Sequence, residues 1–151
     1  MRAKKSPLSL RVFNLLRSEF QFIVPKELET VPSELFDTYP IDIDFSHHPL
    51  PQSKHHIQVF VRIKINHTKK RAGYSIEVEG MGVFELNQRG LNEEVVSNLR
   101  IFSTLNMVIN NLRSIIAQQT AFAPMGTYLI PPIDIVDLLE KKQKQQTKKM
   151  V

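Results

Sequence analysis

The sequence predicts an α+β domain: a four-stranded antiparallel sheet with one long and one short C-terminal helix packed on one face. Three observations predict it. Apolar side chains recur at every second residue through 41–45, 57–65 and 74–78, the period that places them on one side of a strand. After Leu91 the period changes to three, four or seven, as one face of a long helix requires. The links between consecutive alternating segments are too short for helical crossovers, so the strands are expected to run antiparallel.

Residues 8–24 are rich in Leu, Val, Phe and Ile, and Phe20, Phe22 and Val24 alternate with Gln21 and Ile23. They are expected to form a long first strand, bulged or bent in its middle and closed by Pro25. Between Pro25 and Pro40, the prolines and the scattered Glu27, Glu29, Glu34 and Asp37 predict a polar connection with one short turn at 32–36 and little contribution to the core. Ile41, Ile43 and Phe45 alternate with Asp42 and Asp44 in a half-buried strand, and Ile57, Val59, Val61, Ile63 and Ile65 define the next. A basic turn at 67–73 leads into Tyr74, Ile76 and Val78, after which Gly80-Met81-Gly82 is expected to mark a bulge or strand end.

In the helical half, Val95, Leu99, Phe102, Ile109, Leu112 and Ile116 share a face, Asn92 is placed to cap, and Glu93 and Glu94 fill the first turn. This helix should reach about Gln119. Asp134 can cap a short second helix whose buried positions are Ile135, Val136, Leu138 and Leu139. The organisation expected is a basic N-terminal tail over 1–7, a single domain over 8–140 and a disordered basic C-terminal tail over 141–151.

The formal charge of +5 invites a nucleic-acid reading, but eight of the 20 Lys and Arg lie in the two tails. Residues 6–140 carry 12 basic against 15 acidic side chains, so the body is mildly acidic and no nucleic-acid partner is expected. The absence of cysteine excludes thiolate chemistry and disulfides and fits a reducing compartment. Arg11, Asn14, Arg17 and Glu19 interrupt the first apolar stretch, so membrane insertion is not expected and a cytoplasmic location is.

No phosphate loop, nucleophile elbow or dinucleotide glycine pattern occurs, and neither an enzyme nor a cofactor is expected. His47, His48, His55 and His56 flank a proline-containing link and are expected as solvated histidines rather than metal ligands. Asp42, Asp44, Glu77 and Glu79 share a predicted outward sheet face with Arg62 and Lys64.

The anomaly is the stretch 121–132, which carries Phe122, Met125, Tyr128, Leu129 and Ile130 in what should be a solvated loop. Methionine and aromatic side chains on a loop can repack around different partners, which suits a groove for apolar chain segments. Serine at Phe122 and Tyr128 is expected to remove such binding while leaving the fold native.

The order of these segments resembles the SecB family of protein-export chaperones over residues 10–139. The resemblance is carried by Phe20-Gln21-Phe22-Ile23-Val24-Pro25, Ile41-Asp42-Ile43-Asp44, the strand 56–65, Gly80-Met81-Gly82-Val83-Phe84 and Leu129-Ile130-Pro131-Pro132-Ile133-Asp134. It implies an ATP-independent holding chaperone, homo-oligomeric as a dimer of dimers, that grips unfolded precursor proteins and passes them to the SecA motor. Carried over by position, it places Phe20, Phe22 and Val24 on one wall of a client groove and Phe122, Met125, Tyr128 and Leu129 on the other. A SecA-type partner face falls on Asp42, Asp44, Glu77 and Glu79. The sequence departs from the family at Phe102-Ser103-Thr104-Leu105-Asn106, where the family has Phe-Pro-Tyr-x-Arg, and in its weaker acidity. That points to a divergent branch, including chaperones dedicated to one client such as an antitoxin; an adaptor that binds a folded partner is the other alternative.

Overall fold

The computed structural model describes residues 1–26 and 31–151, so Glu27 and Glu29 of the polar connection lie outside the described residues. Strands β1 (Leu8–Ile23), β2 (Ile41–Pro49), β3 (His56–Ile65) and β4 (Gly73–Leu86) form one antiparallel sheet in the order β1-β4-β3-β2. The short helix α1 (Pro32–Phe36) precedes β2, and α2 (Glu93–Asn98), a π-helical turn (Leu99–Ser103) and α3 (Thr104–Thr120) form one continuous rod, followed by α4 (Ile135–Lys149).

β1 and β2 occupy opposite edges, so consecutive strands are not all neighbours. The chain between them must cross the sheet, and that crossing buries Tyr39 and packs Leu35 and Phe36 on the core. This corrects the expectation of a polar connection with little core: Glu34 and Asp37 face water while Phe36 and Tyr39 cover the sheet.

The inner sheet face buries Val59, Val61, Ile63 and Ile65 of β3 and Ile76, Val78 and Phe84 of β4 beneath Leu105, Val108, Ile109, Leu112 and Ile116 of α3. Each such side chain contributes roughly 1.5–3 kcal/mol by leaving water. The register of β1 shifts between Leu10 and Val12 and between Leu15 and Arg17, so the bulges belong to β1. Gly80 and Gly82 do not end β4, which continues to Leu86. Their role is close approach: a Cβ on Gly80 would stand 2.9 Å from Leu112 and 3.1 Å from the Phe13 ring, and α3 and β1 both use that space.

Asn92 caps α2 through Val95 N–H at 2.8 Å, as its position predicts. The π-helical turn fits one extra residue into the rod, which rotates the preceding face by about 100°, one residue's share of a turn. Val95 is therefore exposed, although it belongs to the predicted apolar stripe. Asp134 caps α4 through Asp137 N–H at 3.0 Å. The expected disordered tail is instead the second half of α4: Lys and Gln are strong helix formers, and Lys141 pairs with Asp137 one turn earlier at 2.6 Å.

Candidate functional site

An aromatic cluster is centred on Tyr74, at the start of β4. Its ring lies 5.2 Å from Phe20, 6.2 Å from Phe22 and 5.4 Å from Phe36, centroid to centroid. Phe36 in turn meets Tyr128 at 5.2 Å, and Tyr39 meets Tyr128 at 5.9 Å. The cluster forms because the end of β1 pairs with the start of β4, Phe22 opposite Tyr74 and Phe20 opposite Ile76. The crossover then lays Phe36 on top.

Tyr74 also ties down the apolar connection. Its hydroxyl donates to Gly126 O at 2.7 Å and accepts from Met125 N–H at 2.8 Å, while Thr120 Oγ1 accepts from Tyr128 N–H at 2.8 Å. Burial raises the Tyr74 phenol above its ordinary value, an effect that the Met125 N–H opposes. The structure thus joins Phe20 and Phe22 to Met125 and Tyr128 through a residue that the alternation of β4 marks only as core.

The nominated wall residues separate into two groups. Tyr128 is buried at 2% exposure and belongs to the aromatic cluster; its hydroxyl is buried without a hydrogen-bond partner among the described residues, and desolvation, with Tyr39 and Asp37 adding to it, pushes its pKa up to about 12. Serine at Tyr128 would therefore open the core, which corrects the expectation that this substitution spares the fold. Phe122 at 101%, Val24 at 73% and Leu129 at 65% exposure are instead presented to solvent. Phe20, Phe22 and Met125 are half-buried between these extremes.

Phe36, Tyr39 and Asn66 are site residues that the sequence reading passed over. The first two, three apart amid acids, were its available signal. Tyr39 donates to Ala72 O at 2.9 Å and accepts from Tyr74 N–H at 3.0 Å. Gly73 makes room for this: its φ is +100°, and a Cβ there would fall 2.0 Å from the Tyr39 hydroxyl oxygen and 3.1 Å from Met125 Sδ.

The four carboxylates of the proposed partner face lie on the outer side of the sheet in unlike settings. Glu77 is only 4% exposed, with His67 Nε2 at 3.1 Å, Arg17 at 3.6 Å and Arg62 at 3.7 Å. Arg62 also pairs with Glu79. Asp44 accepts from Lys142 of α4 at 2.6 Å, which holds its carboxyl below the usual range. Asp42 is exposed. The surface is therefore a lattice of paired charges and not a bare acidic plane.

Among the described residues no group of His, Asp and Glu could hold a metal ion, and no helix is long and apolar enough to cross a membrane. His47 differs from the solvated histidine expected of it: it is half-buried, with Nε2 3.2 Å from both Ile101 O and Thr104 Oγ1, and it joins β2 to the π-helical turn. Burial lowers its pKa.

No family model matches the chain, and no curated protein sequence does. Among solved structures it is similar to the Mycobacterium tuberculosis Rv1957 SecB-like chaperone, solved in complex with a ChAD peptide from the Rv1956 HigA1 antitoxin. That match has 13% identity and a TM-score of 0.58, and covers 83% of this chain and 90% of that one. A protein of unknown function from Streptococcus agalactiae matches at 8% identity and TM-score 0.49, over 83% of this chain and 97% of that one. The four-stranded antiparallel sheet with its C-terminal helices thus has the fold of a SecB-like chaperone, in a sequence far diverged from it.

Proposed function

We propose that this protein is an ATP-independent holding chaperone, without covalent chemistry or cofactor, that binds non-native polypeptide against the Tyr74 groove. The observation that carries the reading is the aromatic cluster on Tyr74 together with the exposed apolar side chains on the segments that meet there, Val24 after β1 and Phe122 and Leu129 on the connection that Tyr74 ties down. Covering three such side chains gains roughly 5–8 kcal/mol before the cost of ordering the client. One groove therefore binds weakly, and useful retention depends on several grooves acting on one chain.

That requirement favours an oligomer, and two surfaces support one. β1 is a 16-residue edge strand with exposed Val12, Leu15 and Leu16, suited to pairing with a second copy. Val95, Leu99, Ile101 and Phe102 face Val136 and Leu139 of α4 across a cleft of about 580 Å³, which suits helix packing between dimers. Light scattering at micromolar concentration tests this dimer of dimers; a monomer would refute it.

Between general export and service to one client, the charge-paired sheet face favours the dedicated client. Glu77 and Glu79 are engaged by Arg17, Arg62 and His67, leaving less negative charge to attract SecA. The SecB-like neighbour's bound antitoxin peptide supports the same reading.

The test is suppression of aggregation of a denatured client. The triple variant Val24→Ser, Phe122→Ser, Leu129→Ser changes only exposed side chains, so its circular dichroism should remain native while suppression is lost. Undiminished suppression by a natively folded variant would remove the groove from the mechanism.

A further inference from the structure

At the far end of the sheet from Tyr74, roughly 40 Å along β4, three segments meet around a second cleft. The β2–β3 hairpin contributes Pro49, Leu50, Pro51 and Ile57, the chain leaving β4 contributes Gln88, and the π-helical turn contributes Arg100. The cleft has a volume of about 430 Å³.

Its walls are fixed against one another. Arg100 Nη2 donates to Lys54 O of the hairpin at 3.0 Å, Leu86 N–H donates to His55 O at 2.8 Å, and Pro49 pairs with Ile57. The turn that carries Arg100 is held from two sides: Thr104 Oγ1 donates to Arg100 O at 2.5 Å, and His47 Nε2 of β2 lies 3.2 Å from Ile101 O. Single π-helical turns inside α-helices are frequent at functional sites.

Arg100 is an incompletely compensated cation. It is half-buried and forms no ion pair among the described residues; Nε is buried without an acceptor, and Lys54 O is the one acceptor recorded for the guanidinium. Glu85, the last carboxylate of β4, is taken by Arg11 at 2.6 Å. Buried donors are normally matched by acceptors, and a guanidinium matches a carboxylate best, so an undermatched one lining a cleft points to an anion supplied from outside the chain. The apolar walls restrict that anion. Pro49, Leu50, Pro51 and Ile57 present no side-chain donor, so phosphate would lose water with one guanidinium to replace it, whereas a carboxylate on an aliphatic body meets Arg100 at one end and apolar surface at the other.

We infer that this cleft is a carboxylate site: it takes a small branched aliphatic acid, free or as the terminal residue of a peptide, with the carboxylate on Arg100 and the apolar body against Leu50 and Pro51. The site lies apart from the Tyr74 groove and does not depend on it.

The probes are isocaproate, its neutral amide, N-acetylleucine, acetate and inorganic phosphate, each titrated at neutral pH into the isotope-labelled full chain while the backbone amide signals of Lys54, Gln88 and Arg100 are followed. At least one of the two branched acids should shift those signals saturably and bind about tenfold or more tighter than the amide, acetate and phosphate. Tighter binding of N-acetylleucine would identify a chain terminus as the source and tighter binding of isocaproate a free acid, and either result supports the site. Arg100→Gln should weaken the acid about tenfold, and Leu50→Ala, which keeps Arg100 and its bond to the hairpin, about threefold, both with native circular dichroism. No saturable shift with either acid, or equal binding of the amide or of phosphate, would overturn the inference. Should Arg100→Gln disturb the fold, Leu50→Ala decides, and undiminished acid binding by that variant would overturn the inference too.

Discussion

Tyr74→Phe isolates the bonds that hold the apolar connection to the sheet. The ring and its contacts with Phe20 and Phe22 are retained, so no cavity opens; what is lost is one oxygen that donates to Gly126 O at 2.7 Å and accepts from Met125 N–H at 2.8 Å. Two such bonds are worth about 1 kcal/mol each, and the stranded Met125 N–H adds part of its desolvation cost, for a loss of about 2–3 kcal/mol. In a domain of this length that lowers the melting temperature by about 5–10 °C. Urea unfolding measures the stability loss, and hydrogen exchange at the Met125 amide localises it. Weaker client binding should accompany the change as the connection loosens from the sheet. A loss below about 0.5 kcal/mol with unchanged Met125 exchange would refute the tether.

Other substitutions test the groove's construction. Gly73→Ala should cost about 3 kcal/mol or more in urea unfolding, because the methyl would strike the Tyr39 hydroxyl from a strained φ of +100°; Gly90→Ala, at φ +74° with open space around it, should cost only about 1 kcal/mol. Tyr128→Phe deletes a buried hydroxyl without a partner and should leave stability unchanged or raised by up to about 1 kcal/mol, whereas Tyr128→Ser should lose about 3–5 kcal/mol with the ring; a marked loss in the Phe variant would mean the hydroxyl has a partner. His47 is held neutral by burial, its pKa below the ordinary 6.5, so its contribution is fully present above pH 6.5 and declines as the pH falls through the lowered folded value. His47→Gln should flatten that part of the urea-midpoint profile, and an unflattened profile would assign the decline to other groups.

The alternating strands, the caps Asn92 and Asp134 and the apolar connection were legible because each is a local pattern: its physical cause lies within a few residues of itself. Phe36 and Tyr39 were not. Prolines and acids dominate their segment, and only the crossover between opposite sheet edges turns the aromatic rings inward. The π-helical turn escaped for a related reason, since one added residue leaves the spacing of apolar positions helical while rotating Val95 off the buried face of the rod.

Glu77 shows the same division on the outer face. Alternation correctly puts it on the side opposite the core, yet exposure does not follow, because Arg17 from β1, Arg62 from β3 and His67 from the turn converge on it across the sheet. The sequence by itself determined which side of each strand is apolar, where the long helical rod begins and which connection is anomalous. The tertiary structure alone decided that Tyr128 is buried while Phe122 and Leu129 are exposed, and that Tyr74 joins the end of β1 to the apolar connection. Those outcomes depend on strand order and on contacts between residues tens of positions apart, and no short-range periodicity encodes such distances.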